Sequence, residues 1–201
     1  MVAKRTEQAD EDRQMMTGIS GDVEEDDSVW ILSKARLPWL VIGLVGGLLG
    51  AKFISMFEAD IAAIPAMAFF IPLITATGGN VGIQSSSIVI QSLASINAFE
   101  DSLFQKMIKA FFVAIVNGLI LAVMVFGIVI FATSDQVIAS TVAIALCSVV
   151  LLASFMGTIT PLLLDRVGIN PAMAAGPFIT TANDLLGLTV YFLVAHLLYG
   201  L

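Results

Sequence analysis

Five apolar runs, each long enough to cross a bilayer, constrain this 201-residue chain more than any other feature. A helix needs about 20 apolar residues to span the hydrocarbon core. Within that core only helices and closed barrels satisfy their own backbone polar groups. The runs are Leu37–Phe57, Ile61–Leu93, Phe104–Ala132, Val137–Leu164 and Pro171–Tyr199. Polar breaks separate them at Glu58-Ala59-Asp60, Asn97–Asp101, Ser134-Asp135 and Asp165-Arg166. Composition agrees, at 58% hydrophobic and 12% charged, against about 45–50% and 25% in soluble domains. The chain reads as an all-α polytopic membrane protein. Enzymatic activity, an organic cofactor and a nucleic-acid partner are not expected. The single cysteine, Cys147, lies in an apolar run and reads as a small core residue.

The net charge of −7 is concentrated at the N-terminus, where nine acidic residues precede Ser28 against Lys4, Arg5 and Arg13. Such a segment buries too little apolar surface to offset its ordering entropy, so residues 1–28 are expected to form a disordered acidic cytoplasmic tail. Residues 29–36 are apolar on one side and basic at the end. They read as a short interfacial amphipathic helix, with residues 37–201 as the membrane domain. Basic residues mark the cytoplasmic side. With the N-terminus inside, Lys4, Arg5, Arg13, Lys34, Arg36, Lys106, Lys109 and Arg166 all fall inside, and only Lys52 falls outside. Lys52 is near enough to the end of its span to snorkel. The expectation is a multi-pass protein of the cell membrane, N-terminus in and C-terminus out. No internal repeat is visible, and five spans do not divide into equal inverted halves. A pore would then lie between identical subunits on a two-fold axis.

Two stretches carry polar groups at membrane depth. In FFIPLITATGGNVGIQSSS, Pro72 and Gly78-Gly79 predict an irregular helix around Thr75–Gly82. Irregular backbone is tolerated there only when buried in protein or lining a water-filled cavity. With Asn80, Gln84 and Ser85–Ser87, the stretch reads as cavity-lining. The alternative is a tight glycine-mediated crossing with polar residues bonding across it. In FITTANDLLGLTVYF, Asp184 is a carboxylate amid apolar residues, and insertion scales put its cost at roughly 2.5–3.5 kcal/mol. Gly176, Thr180, Asp184 and Gly187 fall on one helical face, and Pro177 is expected to free the carbonyl of Met173.

One carboxylate does not neutralise a divalent cation, whereas two from symmetric subunits do. Mg²⁺ dehydrates reluctantly and is commonly held through its waters by one or two carboxylates. The lack of a histidine or cysteine beside Asp184 argues against zinc or copper. His196 lies roughly 120° around the helix from Asp184 and nearer the outer end, and reads as interfacial. Asn117 and Asn183 read as interhelical hydrogen-bonders.

The motifs RLPWLVIGLVGGLLGA, FFIPLITATGGNVGIQSSSIVIQSLA and LDRVGINPAMAAGPFITTANDLLGLTVYF together resemble the membrane domain of the MgtE magnesium transporter family, over about Ala35 to Leu198. The resemblance implies five helices per subunit in a symmetric homodimer, with a pore on the two-fold axis lined by the second and fifth spans. It places hydrated Mg²⁺, the transported ion, at Asp184, with Gly176, Thr180 and Gly187 around it. The Gly78–Asn80 turn would pack alongside, which adds Asn80 to the candidate ligands. The family commonly has Asn-Pro at Gly176-Pro177, Asp-Pro at Asn170-Pro171 and an arginine at Gln91. Full-length members carry a large cytoplasmic Mg²⁺-sensing region with paired CBS modules, and here an acidic stretch is expected in its place. The function expected is Mg²⁺ passage by a channel-like mechanism driven by membrane potential and concentration gradient. The alternatives are a Na⁺- or H⁺-coupled exchanger, or a non-transporting membrane scaffold.

Overall fold

A computed structural model describes residues 12–21, 23–94 and 103–200. The predicted break Asn97–Asp101 and most of the charged N-terminus lie outside these residues. All regular structure described is helical: α1 (Val29–Ser55), α2 (Glu58–Ala63), α3 (Ala66–Ala94), α4 (Leu103–Thr133), α5 (Gln136–Arg166) and α6 (Pro177–Tyr199), with a 3₁₀ turn at Pro171–Ala174. Five of these, all but the short α2, are long and apolar enough to cross a membrane.

Helix α5 is the centre of the bundle, packing on α3, α4 and α6, while α4 rests closely only on α5. Helix α1 lies against α6. The core joins Met67 and Ile74 of α3, Ile138, Val142, Leu146 and Val149 of α5, and Leu188, Tyr191 and Phe192 of α6. The turn between α4 and α5 is tight. Ser134 takes a positive φ of 54°, and Asp135 caps α5 by accepting from the amides of Val137 at 2.9 Å and Ile138 at 3.1 Å. A carboxylate at an N-cap satisfies orphan amides and the helix dipole together.

Three expectations about the helices are corrected. Residues 29–36 are not a separate element, because α1 runs unbroken from Val29 through Pro38. Helix α3 is continuous through Pro72, Gly78 and Gly79, so no irregular backbone or turn forms at Thr75–Gly82. The fifth run is split, and Pro177 opens α6 at its first position, where a missing amide costs nothing. It therefore frees no carbonyl inside a helix.

Of the expected acidic tail, residues 1–11 and 22 lie outside the described residues, while residues 12–21 begin with a helical turn over 12–16. They fold back on α1 and α6: the Ser20 amide donates to the Ala35 carbonyl at 3.0 Å, and the Trp39 indole donates to Ser20 Oγ at 2.7 Å. Asn170 Nδ2 donates to Asp12 at 2.9 Å.

The regularity of α3 has a packing cause. A Cβ at Gly82 would overlap the Asn183 carboxamide, and one at Gly157 would overlap the Gly82 carbonyl. At Gly78 it would meet Val149 Cγ1 at 3.0 Å. The glycines bring α3 against α5 and α6 rather than loosening it, which is what small residues do between membrane helices. The hydroxyls follow the same logic. Pro161 lacks an amide, so the Gly157 carbonyl loses its helical donor. Ser86 Oγ replaces that donor at 2.9 Å from α3.

Candidate functional site

Helix α6 begins abruptly. Gly176 precedes it with φ 73° and ψ −143°, a conformation only glycine adopts readily. Its carbonyl receives two bonds from Thr180, from the amide at 3.1 Å and from Oγ1 at 3.0 Å. The hydroxyl is thus anchored as a donor one turn below Asp184, with its oxygen lone pairs unspent.

Asp184 follows one turn later and is half-buried. No ion pair to Asp184 occurs among the described residues. Gly79 of α3 faces it across the helix crossing. A Cβ built there would lie 3.7 Å from Asp184 Oδ1 and 3.1 Å from Thr180 Cγ2. The missing side chain at Gly79 leaves the carboxylate reachable, flanked by a hydroxyl and by the backbone of α3. No cluster of three or more histidine, cysteine or acidic residues with metal-binding placement occurs among the described residues. A cation at Asp184 would therefore take the rest of its shell from water, backbone oxygens or a second subunit.

The other candidates divide. Thr180 and Asp184 share a face. Gly187 is buried and packs towards Val149 and Ile74, where a Cβ would sit 3.5 and 3.6 Å from their methyls; it allows helix contact and lies off the accessible side. Gly176 is covered, since a Cβ there would meet the Met16 carbonyl at 2.8 Å. Asn80 is exposed on α3, one position beyond Gly79.

Neither asparagine expected to bond between helices does so. Asn183 is 1% exposed, and both polar atoms of its side chain lack partners among the described residues. Asn117 lies exposed on α4.

Above Asp184, α6 is clasped by the α1–α3 connection, an arrangement that sequence reasoning missed. Phe57 stacks on Phe192 with ring centres 4.1 Å apart, and the Tyr191 hydroxyl donates to the Met67 carbonyl at 3.0 Å. His196 Nδ1 lies 3.3 Å from Asp60. The one signal was the i, i+1, i+5 spacing of Tyr191, Phe192 and His196, which puts them on adjoining helical faces.

Comparison with known families finds a match over residues 71–194 to MgtE, described as a divalent cation transporter. The chain is 31% identical over 188 residues to the magnesium transporter MgtE of Bacillus subtilis, covering 94% of this chain and 42% of that protein. To the Thermus thermophilus protein of the same name it is 32% identical over 171 residues, covering 85% and 37%. To that of Enterococcus faecalis it is 30% identical over 183 residues, covering 90% and 40%. The chain thus spans about two-fifths of the length of the curated relatives it matches. The matched region runs from within α3 to near the end of α6 and contains Gly79, Thr180 and Asp184.

Proposed function

Because this multi-pass membrane chain belongs to the MgtE family of divalent cation transporters, we propose that it passes Mg²⁺ across the cytoplasmic membrane, with Asp184 as the ion-holding residue. The observation that carries this reading is the half-buried Asp184 carboxylate, set in a membrane-spanning helix without an ion-pair partner among the described residues. A carboxylate left so at membrane depth is costly and marks an ion path by default. Thr180 adds a hydroxyl one turn below, and Gly79 keeps the approach open. Asn80, Gly176 and Gly187 act less directly, shaping the helix crossing and the start of α6.

In this proposal two subunits bring their Asp184 faces together across a two-fold axis. Two carboxylates balance the ion's charge, and its water shell spans the remaining distance, as suits a cation that resists dehydration. The N-terminus and most lysines and arginines face the cytoplasm. Mg²⁺ entering a negative interior gains ~4.6 kcal/mol per 100 mV, twice the single-charge value. Uptake then needs no coupling ion.

The test is Mg²⁺ influx into liposomes holding the purified chain at a clamped potential. Influx that follows voltage without a Na⁺ or pH gradient supports the channel reading. Influx that appears only with such a gradient would make the protein an exchanger. A lack of influx under both conditions would contradict transport by this chain.

A further inference from the structure

Away from Asp184, one cleft combines apolar walls with a cation at its mouth. It lies between the first turns of α4 and the last turns of α5. Its volume is about 160 Å³, and Met107, Ile159, Leu162, Leu163 and Arg166 line it. Ile159, Leu163 and Arg166 follow one another at i, i+4 and i+7, so the guanidinium stands at the end of an apolar stripe. Among the described elements, helix α4 packs closely on α5 alone, and Leu163 is 53% exposed. The cleft therefore opens sideways, to whatever surrounds the bundle. Around a membrane-spanning helix pair that surrounding is acyl chain.

The cation on the cleft lining, Arg166, is what selects among lipids. Arg166 and Lys109 are exposed, and Lys106 is half-buried, its ammonium 3.2 Å from Ser92 Oγ of α3. Asp165 is the neighbouring carboxylate. The start of α4 adds the partial positive charge of a helix N-terminus. Basic pockets between membrane helices bind anionic headgroups.

We propose that the α4–α5 cleft holds an anionic phospholipid, with its acyl chain against Met107, Ile159, Leu162 and Leu163 and its headgroup at Arg166. The site is on the Lys/Arg-rich side of the bundle, and it stands independently of any role for Asp184.

Native mass spectrometry of the purified protein, offered equal amounts of phosphatidylglycerol and phosphatidylcholine with matched chains, tests it. The unaltered chain retains phosphatidylglycerol with a several-fold preference. Arg166→Gln brings the ratio close to one, and Ile159→Trp, which fills the cleft, lowers the number of both lipids bound. Lys109→Gln, off the cleft lining, keeps the preference. Three results would overturn the proposal. One is no preference in the unaltered chain. The second is equal loss in Lys109→Gln, which would mean diffuse surface charge. The third is an Ile159→Trp protein that changes its subunit number but not its bound lipid, which would assign the cleft to a second copy of the chain.

Discussion

Asn183 and Asp184 are adjacent yet meet opposite surroundings. The carboxamide is sealed against Gly82 without a partner, while the carboxylate next to it remains reachable. An unpaired buried polar group destabilises, and an apolar replacement of similar volume is close to neutral or stabilising. Asn183→Leu is therefore expected to leave the melting temperature in detergent unchanged or raised; a clear drop would show that the amide has a partner. Ser86 is the reverse case, since its hydroxyl serves the carbonyl that Pro161 strands. Ser86→Ala should cost roughly 0.6–2 kcal/mol of unfolding free energy, the range for membrane and buried hydrogen bonds. Asp184 was legible from sequence because a lone carboxylate in an apolar run is anomalous wherever the run packs. The partners of Asn183, Asn117 and Ser86 were not, since they depend on how helices distant in sequence cross.

Among the elements, α3 shows why local rules misread a packed helix. Pro72 and Gly78-Gly79 weaken an isolated helix, but neighbours that need close approach hold it regular. Gly82→Ala and Gly157→Ala should each destabilise by about 1–3 kcal/mol, the usual cost of overpacking. Gly47→Ala on α1 meets open space and should be neutral or slightly stabilising, as the better helix former. Chemical unfolding in mixed micelles separates the two classes, and equal effects at all three glycines would contradict the packing argument. Composition correctly marked the N-terminal segment as poor in apolar surface, yet residues 12–21 need little of it. They are held by hydrogen bonds to Ala35, Trp39 and Asn170. Trp39→Phe removes one such bond and is expected to speed tryptic cleavage at Arg13; an unchanged rate would show that this bond does not hold the segment.

At the scale of the whole molecule, the bundle buries α5 and leaves α1 and α4 at its margins, with the Asp184 side of α6 accessible. Five spans and their order were readable because each needs only length and apolarity. The stacking order around α5 was not, because nearly uniform apolar helices carry little directional signal. The proposed two-fold pairing places Thr180 near its symmetry mate and Phe131, 92% exposed on α4, on the periphery. In a Cys147→Ser background, Thr180→Cys should form covalent dimers with a short bis-maleimide, and Phe131→Cys should not. The opposite pattern would contradict the arrangement.

The central claim is that Asp184 holds the ion. Mg²⁺ influx into liposomes at a fixed potential, compared for the native chain and Asp184→Asn at matched protein content and subunit number, tests it most directly. The account predicts voltage-driven influx in the native chain and its near-complete loss in a folded Asp184→Asn protein. Substantial influx surviving that substitution would contradict it.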